Sequence, residues 1–372
     1  MTLQDEHGAT TAAGALAADA SAPPPPPPAV RSRGLPPVWA AGAFAFVVAA
    51  ALVGLGVGPY PISVSAISRA ALSHVPLLGV HSPLTSIQSA IVWQIRAPRV
   101  AMGLLVGGML AVAGSAYQGT FRNPLADPYL LGVSEGAGVG ATVVIAFMPA
   151  AAGGELLPLA AFVGAVVGVT IAYLLGNSVA RQGGTGALIL AGVTVAAFMT
   201  AIQTFLQQRQ SQTLQQVYAW ILGGLAGSTW HQALLAAPWV VLSATVLIAH
   251  RRILDVLSVG DEEAASLGVD VHRARLVIVA AATFGTAAAV AFSGLIGFVG
   301  IIVPHTLRLL VSSSYRAIVP LSLMLGAGFL VLTDVLARTV LSPAELPLGV
   351  VTAFFGAPFF AVVLRRSRWV DL

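Results

Sequence analysis

The sequence predicts an all-α integral membrane protein with about ten transmembrane helices. Its mean hydropathy is +0.88, and 57% of its residues are hydrophobic while only 9% are charged. These values are far from those of a soluble globular protein. The apolar runs are separated by glycine and proline and show no alternating ten-residue pattern, which favours helices over an outer-membrane barrel.

The basic residues limit the functions open to the chain. All 18 are arginine, and they are scattered among apolar segments, whereas nucleic-acid binding requires them on one polar face. A phosphate-binding loop of the form GxxxxGK[ST] needs a lysine, so this chain cannot contain one. If ATP drives the protein, another chain must bind it. Cysteine is absent too, which excludes disulfides and thiolate metal sites.

Residues 1–37 differ in composition from the rest. They are rich in Ala, Thr and Ser, include six consecutive prolines at positions 23–28, and lack the basic start and apolar core of a secretory signal. This composition predicts a disordered cytoplasmic tail with a stiff polyproline stretch. A docking segment for a partner is the alternative.

The membrane domain is expected to occupy residues 38–368. Residues 38–58 are uncharged, and at about 1.5 Å per residue they are long enough to cross a hydrocarbon core of about 30 Å. Further spans are predicted near residues 100–119, 130–150, 156–176, 185–206, 232–249, 276–292, 317–337 and 347–364.

Residues 293–311 are apolar but contain three glycines and a proline. The unbroken part after Gly300 is too short to span a bilayer, so the pattern predicts a re-entrant turn that leads into a short helix. A single glycine-kinked helix is the alternative. Counting this segment gives ten spans.

The arginines predict the orientation of these spans. With both termini in the cytoplasm, thirteen arginines fall on the inner side and five on the outer side, as the positive-inside rule requires. The outer five are Arg69, Arg96, Arg99, Arg209 and Arg338.

Residues 250–275, the polar island, hold nine of the 32 charged residues and fall on the inner side. Ser258 precedes Asp261 by three positions, which is the spacing of a capping box, in which a serine caps the helix start and an acidic residue bonds back to it. Glu262 and Glu263 would then lie in the first turn, where negative charge suits the helix dipole, and Gly268 would end the helix. The pattern predicts a short helix on the membrane surface, and a solvated loop is the alternative.

Seven further patterns occur in order along the chain. They are R-x-P-R at 96–99, NPLA-x-P at 123–128, LGVS-x-GA at 131–137, W-x-x-GG-x-x-G-x-x-W at 220–230, GD-x-x-A-x-x-LG at 260–268, G-x-IGF-x-G-x-x-x-PH-x-x-R at 294–308, and ELP-x-G at 345–349. On these patterns, residues 38–368 closely resemble the permease subunits of binding-protein-dependent ABC importers for iron chelates and vitamin B12, the FecCD or BtuC-like family. One departure is Ser312-Ser-Ser-Tyr-Arg316, where the family usually has a Gly-x-Asp-His-Arg type turn.

The resemblance implies a type II importer fold that works as a homodimer in the bacterial inner membrane. Two ATPase subunits would bind ATP and Mg below it, and an extracytoplasmic binding protein would deliver the substrate. It also implies that the polar island forms coupling helices seated in the ATPase, through Gly260, Asp261, Glu262, Glu263, Ala264, Leu267 and Gly268. Arg96, Arg99 and Arg338 would receive acidic residues of the binding protein. Snorkelling to lipid head groups is the alternative for each arginine.

Catalytic and metal-binding residues are not expected. No nucleophile, base and oxyanion hole assemble, and the histidines lack metal-ligand spacing. Asp334 is expected to pair with Arg338, four residues on along one helix. Gln203 and Gln207, in a glutamine-rich stretch at the end of the fifth span, either line a vestibule for a polar ligand or form a wet loop.

The sequence therefore predicts the permease of an ATP-driven importer, with a ferric siderophore or haem as substrate and cobalamin as the alternative. An ion-coupled secondary transporter is the remote rival, and it would need buried carboxylates, for which Asp334 is the main candidate.

Overall fold

The computed structural model describes residues 35–73, 81–148, 150, 154–179 and 184–367. The tail predicted for residues 1–37 lies outside these ranges, apart from its last three residues. The described residues form helices joined by short connections, and none of them is in a strand.

The helices are numbered here in chain order. They are α1 Pro37–Gly56, α2 Val64–Leu72, α3 Ser86–Ala90, α4 Ala97–Phe121, α5 Val133–Phe147, α6 Leu156–Val179, α7 Gly184–Arg209, α8 Leu214–Ile221, α9 Trp230–Ala249, α10 Arg251–Leu257, α11 Asp261–Ser266, α12 Val271–Ser293, α13 Val299–Leu310, α14 Tyr315–Thr339 and α15 Leu348–Ser367. A π-helical segment, Ile91–Arg96, joins α3 to α4, and Pro128–Leu131 forms a 3-10 turn before α5.

Seven of these helical segments are long and apolar enough to cross a membrane, and three more are shorter apolar helices. The prediction of an all-helical membrane protein with about ten spans is confirmed. Its second span starts earlier than expected, because the helix runs without a break from Ser86 to Phe121.

Helices α5 and α13 are short because an irregular segment inside the bundle precedes each of them. The break predicted in residues 293–311 is present: α12 ends at Ser293, Gly294 and Phe298 both have φ near +67°, and the 12-residue α13 follows. At about 1.5 Å per residue, α13 is only about 18 Å long. The 3-10 turn before α5 packs on this break, and the Tyr129 hydroxyl donates to the Ile296 carbonyl at 3.1 Å and accepts from the Ile296 amide at 3.2 Å. Two irregular segments thereby satisfy each other's polar groups in the interior.

Helix α4 is the centre of the bundle. In the continuous helix Ser86–Phe121, which contains α4, 83% of the most apolar 18-residue stretch is buried, whereas the corresponding value for α1 is 17%. Glycines bring its neighbours close, because a methyl group on Gly107 would lie 2.3 Å from the Gly326 carbonyl oxygen of α14. Gly136 of α5 and Gly164 of α6 meet in the same way, as expected from the small residues after Ser134.

We expect Gly107→Ala to destabilise the protein, because the added methyl group would force α4 and α14 apart. Alanine is the better helix former by about 1 kcal/mol, so only the clash can make this change unfavourable. Gly42→Ala in α1 is the matched control, since a methyl group there meets no atom within 4 Å. Thermal unfolding of the detergent-solubilised proteins should show a fall of several degrees for Gly107→Ala alone. Equal midpoints for the two variants would contradict the close α4–α14 packing.

Candidate functional site

The predicted coupling segment forms a short surface helix at one end of the bundle, called here the polar-island end. Helix α11 contains Asp261 to Ser266, with Glu262 and Glu263 exposed in its first turn. Gly268 adopts φ +80° directly after it, so the predicted stop is where the sequence placed it. Ala264 is fully buried and anchors the helix, whereas Leu267 is 69% exposed and Val259 is 68% exposed. The turn therefore presents two carboxylates and two apolar side chains outward.

The predicted cap of this helix is wrong. Gly260, and not Ser258, is the N-cap residue of α11, and no side chain caps it. The reason is that α10 fills the first half of the polar island and ends at Leu257, so Ser258 is the C-cap of α10. Its hydroxyl donates to the Asp255 carbonyl at 2.7 Å and is no longer available to α11.

Asp261 faces the bundle. Both of its carboxylate oxygens accept from Arg275 Nη2 at 3.0 Å, and its Oδ1 lies 3.5 Å from Arg122 Nη2. Arg275 belongs to α12, and Arg122 directly follows α4. This acid therefore holds α11 to the ends of two membrane helices, while the next two residues, Glu262 and Glu263, are exposed.

Asp255 fixes a second helix to the polar island. It accepts from the Ser314 hydroxyl at 2.8 Å and from the Tyr315 amide at 2.5 Å, and it lies 3.4 Å from Arg316 Nε. The carboxylate thus satisfies the first amide of α14, a donor that has no partner within the helix. Asp255 thus caps α14, and the unusual Ser312–Arg316 stretch provides the groups that it contacts. The sequence analysis assigned no role to Asp255.

A series of side-chain hydrogen bonds continues from Tyr315 into the bundle. Its hydroxyl accepts from Arg308 Nη2 at 2.9 Å, and Arg308 Nη1 donates to Gln118 Oε1 at 2.5 Å. The Gln118 amide then donates to the Gly300 carbonyl at 2.9 Å. The polar-island end is therefore linked, through α14, α13 and α4, to the second residue of α13, beside the break.

The other end of the bundle, the arginine end, gathers Arg96, Arg99 and Arg338, the three predicted docking residues. Their side chains turn inward, and only 4%, 7% and 4% of each residue is exposed. Arg96 donates to the carbonyls of Leu55, Gly56 and Tyr60, and Arg338 donates to the carbonyl of Gly54. Two arginines thus satisfy carbonyls at the C-terminal end of α1, where no intrahelical donors remain. Docking by these residues stays a prediction.

Arg99 joins two carboxylates. Its Nε and Nη2 atoms donate to Asp334 at 2.8 to 3.0 Å, and its Nη1 and Nη2 atoms donate to Glu345 at 2.9 Å. The Asp334–Arg338 pair expected from helical spacing is present but longer, with 3.7 Å between Nε and Oδ2. Helical spacing thus identified Arg338, the more distant of the two partners of Asp334. It could not identify Arg99, which is 235 residues away in the chain.

The two carboxylates differ in exposure. The Asp334 side chain is 3% exposed, whereas that of Glu345 is 39% exposed. The hydrogen bonds from Arg99 lower the pKa of Glu345 below its usual value, against the opposing effect of burial. Its contribution to stability is therefore present above about pH 4.5 and is lost as the pH falls further.

Gln203 and Gln207 lie one helical turn apart on α7, and both are half-buried. The Gln203 amide donates to Thr142 Oγ1 of α5 at 3.2 Å and lies against Gly138. Gln203 is thus a packed helix residue, and its role in a pathway stays a prediction. Within the described ranges, no three His, Asp or Glu side chains form a group that could hold a metal ion.

Comparison with known proteins identifies relatives along nearly the whole chain. The model of the FecCD transport family matches residues 46–366. The cobalamin import permease BtuC of Halobacterium salinarum is 38% identical and is aligned over 88% of this chain and 95% of its own. The hemin permease HmuU of Yersinia pestis is 37% identical over 74% of this chain and 84% of its own. A solved inward-facing structure of a metal-chelate type ABC transporter gives a TM-score of 0.77 at 29% identity, and covers 89% of this chain and all of its own.

We expect Asp334→Asn to destabilise the protein far more than Glu345→Gln. Loss of Asp334 leaves the buried Arg99 charge poorly compensated, which typically costs about 3–5 kcal/mol. Glu345 is partly solvated, so loss of its charge should cost no more than about 1 kcal/mol. Thermal unfolding midpoints of the two isosteric variants in detergent provide the comparison. If Glu345→Gln lowered the midpoint as much as Asp334→Asn, the assignment of Asp334 as the main partner of Arg99 would fail.

Proposed function

The chain belongs to the FecCD transport family and is an ABC importer permease, and we propose that it imports an organic metal chelate with energy from separate ATPase subunits. The observation that carries this proposal is the coupling turn, residues 260–268. A lysine-free membrane bundle cannot form an ATP-binding loop of the usual kind, and this turn offers a rigidly held, partly apolar and acidic surface to another protein.

The geometry suggests how force would enter the bundle. An ATPase subunit that grips Glu262, Glu263 and Leu267 would move α11 and, through Asp261, the ends of α12 and α4. The contacts from Asp255 through Tyr315 and Arg308 would carry the same movement to α13. Alternating access then requires the broken segments to shift relative to α4.

The proposed assembly follows the organisation expected of this family. Two copies of the chain would form a homodimer around a central pathway, with two ATPase subunits that bind ATP and Mg at the polar-island end. This end would face the cytoplasm of a bacterial cell, and both termini would lie on that side of the inner membrane. The excess of arginine at the polar-island end supports the orientation.

The binding protein would dock at the arginine end. Arg96 and Arg338 are engaged with backbone carbonyls, so Arg99 is the best placed of the three to exchange a partner. An acidic side chain of the binding protein would replace the partly exposed Glu345, while Asp334 stays in place. Such an exchange keeps the number of carboxylates on Arg99 unchanged.

For the cargo we propose a metal chelate, with an iron chelate (a ferric siderophore or haem) as the first candidate and cobalamin as the second. Relatives named for cobalamin and for hemin are almost equally similar, at 38% and 37% identity. Both cargoes share the chemistry that matters here, a metal enclosed by a large organic ligand. The permease then needs to recognise only the outside of the complex.

The rival function, ion-coupled secondary transport, needs an intramembrane carboxylate that can gain and lose a cation. Asp334 is engaged by Arg99 and Arg338. Glu135 of α5 is a second intramembrane acid that the sequence analysis did not weigh, and its Oε2 accepts from the Ser134 hydroxyl at 2.8 Å. Glu135 is therefore a residue on which this rival could rely.

We expect the double change Glu262→Arg and Glu263→Arg to abolish ATP-driven uptake by the complex reconstituted with its ATPase. Reversal of the charge would repel the partner surface, while the fold should be kept because both side chains are exposed. The matched control is Glu262→Gln with Glu263→Gln, which keeps the shapes and should retain part of the activity. Co-purification of the ATPase and uptake into proteoliposomes are the measurements. Full uptake by the arginine variant would exclude α11 as the coupling element.

We also expect transport to depend on the ATPase and on a chelated metal. Proteoliposomes that hold the chain alone under a proton gradient should accumulate no substrate, whereas the full complex with its binding protein and ATP should do so. Cobalamin, hemin and a ferric siderophore are tested in parallel with the metal-free siderophore and free Fe³⁺ as controls. Uptake of the free ion, or uptake by the isolated chain that is lost in Glu135→Gln, would contradict the proposal.

A further inference from the structure

A groove of about 450 Å³ opens between α6, α9 and α12 at the arginine end. This volume lies within the range of about 300 to 1,000 Å³ that is usual for small-molecule sites. Its lining contains no residue of the coupling turn, of the broken segments or of the glutamine-bearing face of α7. The groove therefore has no part in the transport route proposed above.

The inner wall of the groove is aromatic and already assembled. Phe162 of α6 lies with its ring centroid 6.2 Å from that of Trp239 of α9 and 5.7 Å from that of Phe284 of α12. Of this aromatic group, Phe162 and Trp239 line the groove, and α12 contributes the small buried residues Ala288 and Ala291. An apolar ligand would fit without rearranging the three helices.

The rim of the groove is polar. Glu155 precedes α6, and its Oε1 lies 2.5 Å from Nε2 of His231, which lies in the first turn of α9. Thr229 and Gln232 form a capping box at the same helix end, and this arrangement leaves the Gln232 amide nitrogen directed away from the cap. Trp239 is seven residues beyond Gln232, or about 10 Å deeper along the helix. The polarity thus falls from the helix ends toward the membrane interior.

The groove is also open to the side. Leu159, Leu235 and Trp239 are exposed large hydrophobic residues along its edge. In a membrane protein, such an edge faces lipid chains. Trp230, exposed at the start of α9, is of the residue type that marks the membrane–water interface.

We propose that this groove is a binding site for phosphatidylethanolamine of the surrounding bilayer. One acyl chain would lie along Phe162 and Trp239. The head-group ammonium would donate to the Glu155 carboxylate, and the phosphate would accept from the Gln232 side-chain amide. The lining residues include the Glu155 carboxylate, which His231 contacts, and no arginine, so a head group with an ammonium fits better than an anionic one. This proposal does not depend on the transported cargo.

Brominated phospholipids test the site, because bromine on an acyl chain quenches a tryptophan that it contacts. The delipidated full-length chain in detergent is titrated with dibrominated phosphatidylethanolamine, phosphatidylcholine and phosphatidylglycerol. We expect a saturable quenching component that favours phosphatidylethanolamine by up to about five-fold, the effect of one exposed ion pair. Trp239→Phe should remove this component, whereas Trp230→Phe, at the same helix end but outside the groove, should keep it.

The head-group contact is tested separately with Glu155→Gln. This exposed substitution should leave the fold intact and reduce the preference for phosphatidylethanolamine to the level of phosphatidylcholine, while Glu262→Gln at the far end should leave it unchanged. Equal quenching by all three lipids, or quenching unaffected by Trp239→Phe, would overturn the proposal. Absence of quenching in a dimeric preparation, with its recovery on dissociation, would assign the groove to a second copy of the chain and overturn it as well.

Discussion

The interior of a membrane offers no water, so each backbone amide and carbonyl must find its partner within the protein. This constraint explains where the irregular parts of the bundle lie. The break before α13 is tolerated because Tyr129 occupies both polar groups of Ile296, and Gln118 reaches the carbonyl of Gly300. The C-terminal end of α1 is tolerated because Arg96 and Arg338 donate to its last carbonyls. Charged and polar side chains in this bundle thus replace the water that helix ends use elsewhere.

The same partners connect the two ends of the molecule. Tyr315 is held by Asp255 at the polar-island end, and it contacts Arg308, which in turn holds Gln118 on the central helix. Because Gln118 also holds the start of α13, a displacement of the polar island cannot occur without a change at the break. The residues that stabilise the irregular backbone are therefore also the ones that would transmit movement. A bundle of ten uninterrupted helices would lack this connection.

The fold could be predicted from the sequence because its signals are local. Apolar length, glycine and proline indicate spans and breaks within a window of about twenty residues, and the break in residues 293–311 was found in this way. The side-chain contacts were predicted less well, because they depend on neighbouring helices and on residues distant in the chain. Ser258 has the spacing of an N-cap residue, yet it is the C-cap residue of the preceding helix α10. Asp334 has Arg338 at the favoured spacing, yet its closest contacts come from Arg99, which the chain brings in from another helix.

The inward position of the arginines changes how the proposed docking at their end would work. If they were free and outward, an approaching acidic protein would gain new ion pairs while their neighbours stayed fixed. Here the guanidinium of Arg99 already has two carboxylates, so a third can bind strongly only by replacing one of them. Glu345 precedes α15 by three residues, and the amide of Leu346 donates to Ala337 of α14. Release of Glu345 would therefore loosen the connection between α14 and α15. An exchange of carboxylates on Arg99 would convert the arrival of a loaded binding protein into a change in the packing of two membrane helices.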